Sequence, residues 1–172
     1  QLLWFRSGYV EYRFPNRVPR GAKVLSLQVT AEVCSEAPLH DDDWPSDIGV
    51  WINGAHLGEW TCPADFGGVR GRLTPSWWEK KDSQFGVLKR WRVTRSGTTI
   101  DGMTLSPVTV DALDLSRAEP IVIRIGVRPE ATNVGGLNLF GREFGNYPQD
   151  LGLRIEYDVG EAAQAEPPEH AI

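Results

Sequence analysis

Apolar and polar residues alternate along much of the chain with a period of two, in short runs separated by glycine and proline. The clearest run is 24–34, where Leu25, Leu27, Val29, Ala31 and Val33 alternate with Ser26, Gln28, Thr30 and Glu32. That is the pattern of a strand with one buried face. Residues 10–14 set Val10, Tyr12 and Phe14 against Glu11 and Arg13, and the segment 15–21 between these runs reads as a turn. Val87–Thr94 places Val87, Trp91 and Val93 on one face and Arg90 and Arg92 on the other. In Ile121–Val127, Ile121, Ile123, Ile125 and Val127 point inward, and Arg124 and Gly126 interrupt the apolar run. Residues 151–157 alternate Leu151, Leu153, Ile155 and Tyr157 with Gly152, Arg154 and Glu156, and shorter strands are expected at 98–100 and 137–140.

The strongest local signal is Asn53-Gly54 between two strand-like runs, 48–52 and 55–61. Asn-Gly accepts positive φ at both positions of a type I′ turn, so a two-residue hairpin is expected and its register follows. Ile52 faces Ala55, Trp51 faces His56, Val50 faces Leu57, Gly49 faces Gly58, and Asp47 faces Trp60. One face then carries Ile48, Val50, Ile52, Ala55 and Leu57; the other carries Asp47, Trp51, His56 and Trp60 around the Gly49–Gly58 pair.

Thr74 ahead of Pro75 suggests a capped helical turn, and 111–116 a second. About eight to ten short strands with few helices predict an all-β fold, a jelly-roll-like β-sandwich with one or two short helical turns. Residues 1–158 read as one domain and 159–172, rich in Glu, Ala and Pro, as a disordered tail.

Composition narrows the function classes. With 172 residues the chain is long enough to bury a core unaided. No apolar run approaches the ~18 residues of a membrane-spanning helix, so no membrane partner is expected. Net charge is −5 and the 18 Lys and Arg form no basic stripe, so this segment is not expected to bind nucleic acid. Cys34 and Cys62 match no compact metal motif; two buried thiols in a reducing cytoplasm is the favoured reading, with a single disulfide as the alternative. The chain opens at Gln1 without a signal-peptide pattern, and a fragment or processed chain is expected.

The candidate chemistry lies in the tryptophans, whose rings stack on sugar C–H faces and on cations. On the hairpin, Trp51 and Trp60 would wall a shallow slot over two glycines, with Asp47 and His56 at its edges; a covering sheet or loop would instead make both rings core. Trp77 and Trp78 form a candidate surface pair, and Trp44 lies in an acidic loop. The run Asp41–Asp43 lacks the spacing of a calcium loop and reads as a solvated acidic loop. Arg92, Arg124 and Arg154 would make a cationic strip for a sugar acid if their strands adjoined, or else pair with acids such as Glu32 and Glu156. No nucleophile elbow, zinc-protease motif, phosphate loop or dinucleotide fingerprint is present, so neither an enzyme nor a cofactor is expected. Asp47 and Glu59 point to opposite faces in the expected register and make a poor catalytic pair.

The segments Asp43-Trp-Pro-Ser-Asp-Ile48, Trp51-Ile-Asn-Gly54, Glu59-Trp-Thr-Cys-Pro-Ala-Asp-Phe-Gly-Gly68, Leu73-Thr-Pro-Ser-Trp-Trp78 and 88–93 carry a resemblance, as do Asn138-Leu-Phe-Gly141 and Phe144-Gly-Asn-Tyr-Pro-Gln-Asp150. Together they resemble the C-terminal half of predicted bacterial transcriptional regulators that carry an arsenic-repressor-type winged helix at the N-terminus. The resemblance spans most of 8–157. It implies an effector-sensing or assembly domain whose DNA contacts are made by a separate N-terminal domain, and it supplies no ligand and no functional residues. Metal sensing is not implied, since two cysteines make no thiolate cluster. The expected function is therefore a cytoplasmic sensory domain, with a carbohydrate or sugar derivative as ligand. A homodimerisation platform without ligand and a carbohydrate-binding module of a secreted hydrolase are the alternatives.

Overall fold

A computed structural model describes residues 1–116 and 120–160. The strands are β1 (Leu2–Phe5), β2 (Gly8–Phe14), β3 (Lys23–Cys34), β4 (Ser46–Ile52), β5 (Ala55–Cys62), β6 (Val87–Thr94), β7 (Gly97–Ile100), β8 (Met103–Ser106), β9 (Ile121–Val127), β10 (Leu137–Phe140) and β11 (Gly152–Asp158). They form two antiparallel sheets, one ordered β1-β10-β3-β6-β7-β8 with β11 also on β3, the other β2-β9-β4-β5. β10 and β11 share one edge of β3, pairing with its two ends. Most connections cross from one sheet to the other, so the wiring is that of a β-sandwich of jelly-roll-like order.

The core lies between the sheets. Leu27, Val29, Ala31 and Val33 of β3 and Trp91 and Val93 of β6 meet Ile48, Val50 and Ile52 of β4 and Ile121, Ile123, Ile125 and Val127 of β9, all within a percent or so of complete burial. The period-two pattern is thus realised as a shared inner face. Each buried Leu, Ile or Val side chain among them contributes about 1.5–3 kcal/mol relative to exposure.

Two expected core positions are displaced by one bulge. In the β3–β11 ladder Glu156 pairs with Ser26 and Tyr157 with Val24, so Leu25 is passed over. An unpaired residue is rotated out of the alternation, and Leu25 and Tyr157 are exposed. The helical expectations are met once: a 3-10 turn occupies Val110–Leu113. At Pro75 there is a turn without a helix. There the Thr74 hydroxyl donates to the Gln84 carbonyl (2.5 Å) and accepts the Gly145 N–H (3.1 Å) rather than capping anything.

The sandwich has a partial third layer. Glu32 and Asn138 are polar, yet both are buried, because segments 63–86 and 141–150 fold over them. Cys34 and Cys62 are free thiols in the interior. The tail expected at 159–172 falls outside the described residues from 161 onward.

Candidate ligand-binding site

The solvent face of the four-stranded sheet is built from rows of paired residues. Glu11, Arg124, Trp51 and His56 form one row across β2, β9, β4 and β5, and Tyr9, Gly126, Gly49 and Glu59 form the next. Both central residues of the second row are glycines, each for a contact. A Cβ at Gly126 would collide with the Gly8 carbonyl, and one at Gly49 would come within 2.7 Å of the Trp51 indole. The Trp51 ring therefore leans over Gly49 while stacking on His56, with centroids 4.6 Å apart and planes 18° from parallel. Across the glycines stands Tyr9, 56% exposed, with the Arg124 guanidinium 4.5 Å above its ring. Trp51, Tyr9, Arg124, Arg128, Pro129 and Gly8 line a mostly apolar cavity of about 270 Å3.

Its charges are held in place. Glu11 accepts hydrogen bonds from Arg124 (2.8 Å) and Arg13 (2.9 Å), which keep its carboxyl below the usual range. The Arg128 Nε–H donates to Glu59 (2.5 Å), raising the guanidinium further. Burial, against the pull of Glu59 and helped by Arg128, lowers His56 from the usual histidine value and so favours the neutral imidazole in the stack on Trp51. The site thus offers two ring walls and two oriented guanidinium groups, suited to one ring-shaped, partly polar ligand.

The hairpin turn is where the sequence places it, but its register is not. Trp51 pairs with His56 as expected; beyond them Val50 pairs with Gly58, Gly49 with Glu59, Ile48 with Trp60 and Asp47 with Thr61. The extra residue is Leu57, which turns into the core, and Gly58 takes φ +116 to allow it. The bulge flips Trp60 from the solvent face to the inner one, where it packs against the core with the Lys89 ammonium 4.1 Å from its ring. Trp60 is not a wall of the slot. The same flip puts Asp47 and Glu59 on one face, correcting the opposite-face expectation. Asp47 is engaged structurally: it accepts Thr61 Oγ1–H (2.7 Å) and the Asn133 N–H (2.9 Å) and Nδ2–H (3.1 Å). Burial opposes its charge, but those hydrogen bonds prevail and hold its carboxyl below the usual value.

The other expected site residues lie elsewhere. Trp44 donates its Nε1–H to the Gly135 carbonyl (3.1 Å). Trp78 is half-buried, while Trp77, 72% exposed, packs edge-on against it. Arg92 and Arg154 are both neighbours of Gln28 on the larger sheet and both bind Glu156, at 2.9 and 3.0 Å. Arg124 is on the other sheet, so the three arginines form no strip. Of the eight expected residues, the slot keeps Trp51, with His56 behind it.

Tyr9 and Arg128 were not foreseen. Gly126 inside the β9 pattern was the available signal, since a glycine within a strand marks a close approach. Which strand approaches it depends on sheet order. No protein-family model, curated protein or solved structure matches the chain.

Proposed function

We propose that this chain is the effector-sensing domain of a bacterial transcriptional regulator, and that its slot binds a carbohydrate or sugar derivative. The observation that carries the reading is the facing of Tyr9 and Trp51 across a glycine row on an open sheet face, with Arg124 and Arg128 beside them. Aromatic walls supply stacking area for a sugar ring, and guanidinium N–H groups suit its hydroxyls or a carboxylate. A cavity of about 270 Å3 accommodates one ring rather than a chain. DNA contact belongs, in this reading, to a winged-helix domain elsewhere in the protein.

The exposure of Tyr9 also favours a second reading, in which the same face is a dimer interface anchored by these rings. A thermal-shift screen with monosaccharides and sugar acids separates the two. A ligand at a hundred times its dissociation constant adds about 2.7 kcal/mol of stability, and Trp51→Ala abolishes that gain if the slot is the site. A concentration-dependent mass that Trp51→Ala reduces, with no sugar effect, selects the dimer.

A further inference from the structure

The larger sheet carries a second aromatic cleft, remote from the slot. Trp4 on β1 is the cross-strand partner of Asn138 on β10, and its ring meets Trp78 at 6.2 Å between centroids, tilted by 60°. Trp78 is fixed from two sides: its Nε1–H donates to the Ser83 carbonyl (2.8 Å) and its ring packs edge-on against Phe144 at 5.4 Å. Trp4 is 55% exposed. With residues 36–39 these rings line a solvent-open cleft of about 260 Å3.

Among the described residues, the ionisable side chains lining this cavity are Glu36 and Asp82, and no Lys, Arg or His lines it. Asn138 lies beneath, 1% exposed, donating Nδ2–H to the Ser35 carbonyl (2.7 Å) and Ser83 Oγ (3.1 Å). Behind it, buried Asp65 accepts the Ala37 N–H (2.9 Å) and the Ser83 hydroxyl (2.7 Å). The Lys81 ammonium is paired with Glu79 at 2.7 Å and also feels the charge of Asp82, although it does not line the cleft.

We propose that this cleft binds an organic ammonium ion, its cationic head against the Trp4 and Trp78 rings and beside the Glu36 and Asp82 carboxylates. Indole faces attract a cation that is partly stripped of water, and a neutral ligand of the same shape forgoes that attraction. With no cation lining the cleft among the described residues, Glu36 and Asp82 face it as acceptors for a bound cation, Asp82 sharing its charge in part with Lys81. Burial, together with Asp65 and Asp82, pushes the Glu36 carboxyl up to about 7 despite a hydrogen bond from Asn138. A bound cation favours the ionised form, so binding releases a proton and tightens as pH rises through neutrality.

The test is a tryptophan-fluorescence titration of the full chain with choline and with its uncharged carbon analogue, 3,3-dimethylbutan-1-ol. Choline is expected to saturate the signal and bind about tenfold or more tightly than the analogue. Its affinity rises between about pH 6 and pH 8, and Glu36→Gln weakens it and flattens that dependence. Trp4→Ala, at an exposed edge position, removes binding while circular dichroism is unchanged; Trp51→Ala leaves it intact. Equal binding of the neutral analogue, no saturable choline binding, or wild-type affinity in both Trp4→Ala and Glu36→Gln would overturn the proposal. Failure of either site leaves the other standing, because the two tryptophan variants report separately.

Discussion

The Trp51 indole lies across Gly49, two residues earlier on the same strand, so closely that a Cβ at 49 would sit 2.7 Å from its Cη2 atom. The absence of a side chain at 49 thus sets the tilt of the ring that walls the slot. Gly49→Ala is expected to push the indole off the sheet and to cost about 1–3 kcal/mol, the usual range for overpacking. A lower denaturant midpoint together with altered near-ultraviolet circular dichroism checks this; an unchanged aromatic signal would show that the ring does not depend on the glycine.

The bulge at Gly58 has its own consequence. Its φ of +116 strains any other residue, and a Cβ there would come within 2.8 Å of Leu105 on β8. Gly58→Ala is expected to lose about 1–3 kcal/mol through both effects. Thermal unfolding measures it. Leu105→Ala in the same chain relieves the contact but not the backbone strain, so the double variant recovers only part of the loss.

Glu32 is 1% exposed, and its carboxylate accepts the N–H groups of Gly86 (2.9 Å), Asn146 (2.8 Å) and Tyr147 (2.9 Å). One side chain thereby ties two covering segments to β3. In Glu32→Gln an NH2 group confronts at least one of those donors, for an expected loss of about 2–3 kcal/mol. Hydrogen exchange at 86, 146 and 147 is expected to accelerate more than in the sheet core, and uniform acceleration would instead indicate a global effect.

Stability should also depend on the ionisation of Glu36. Burial first, then Asp65 and Asp82, raise its carboxyl from 4.5 to about 7 in the folded protein. The folded state holds the proton more tightly than the unfolded chain, so this contribution is full below pH 4.5 and is lost as pH rises through about 7. Glu36→Gln mimics the protonated form. It is expected to match the wild type in melting temperature at the acidic end and to exceed it at the alkaline end. A wild type that is the more stable protein above neutrality would reverse the sign.

Much of the fold was legible because it is local. The alternation in 24–34 and in Ile121–Val127 assigns strands and inner faces without reference to any partner, and Asn53-Gly54 closes the hairpin that stacks His56 on Trp51. Leu25 and Trp60 mark where this reading ends. A bulge adds one residue to one strand, and because side chains alternate with period two, everything beyond it changes face. The pattern around Trp60 fits either register, and the packing of Leu57 and Trp60 against the inner face selects one.

What the sequence determined by itself is nine of the eleven strands, the Asn53-Gly54 turn and the two-sheet architecture, since these follow from backbone preference and side-chain period; β1 and β8, four residues each, are too short to show a period and were not foreseen. Tertiary structure alone decided that Tyr9 faces Trp51 and that Trp4 meets Trp78. Each pair joins residues about forty or more positions apart in the chain, brought together by strand order and by a covering loop. Such contacts leave no periodic trace, because they are selected by the summed packing of whole sheets rather than by the residues beside them.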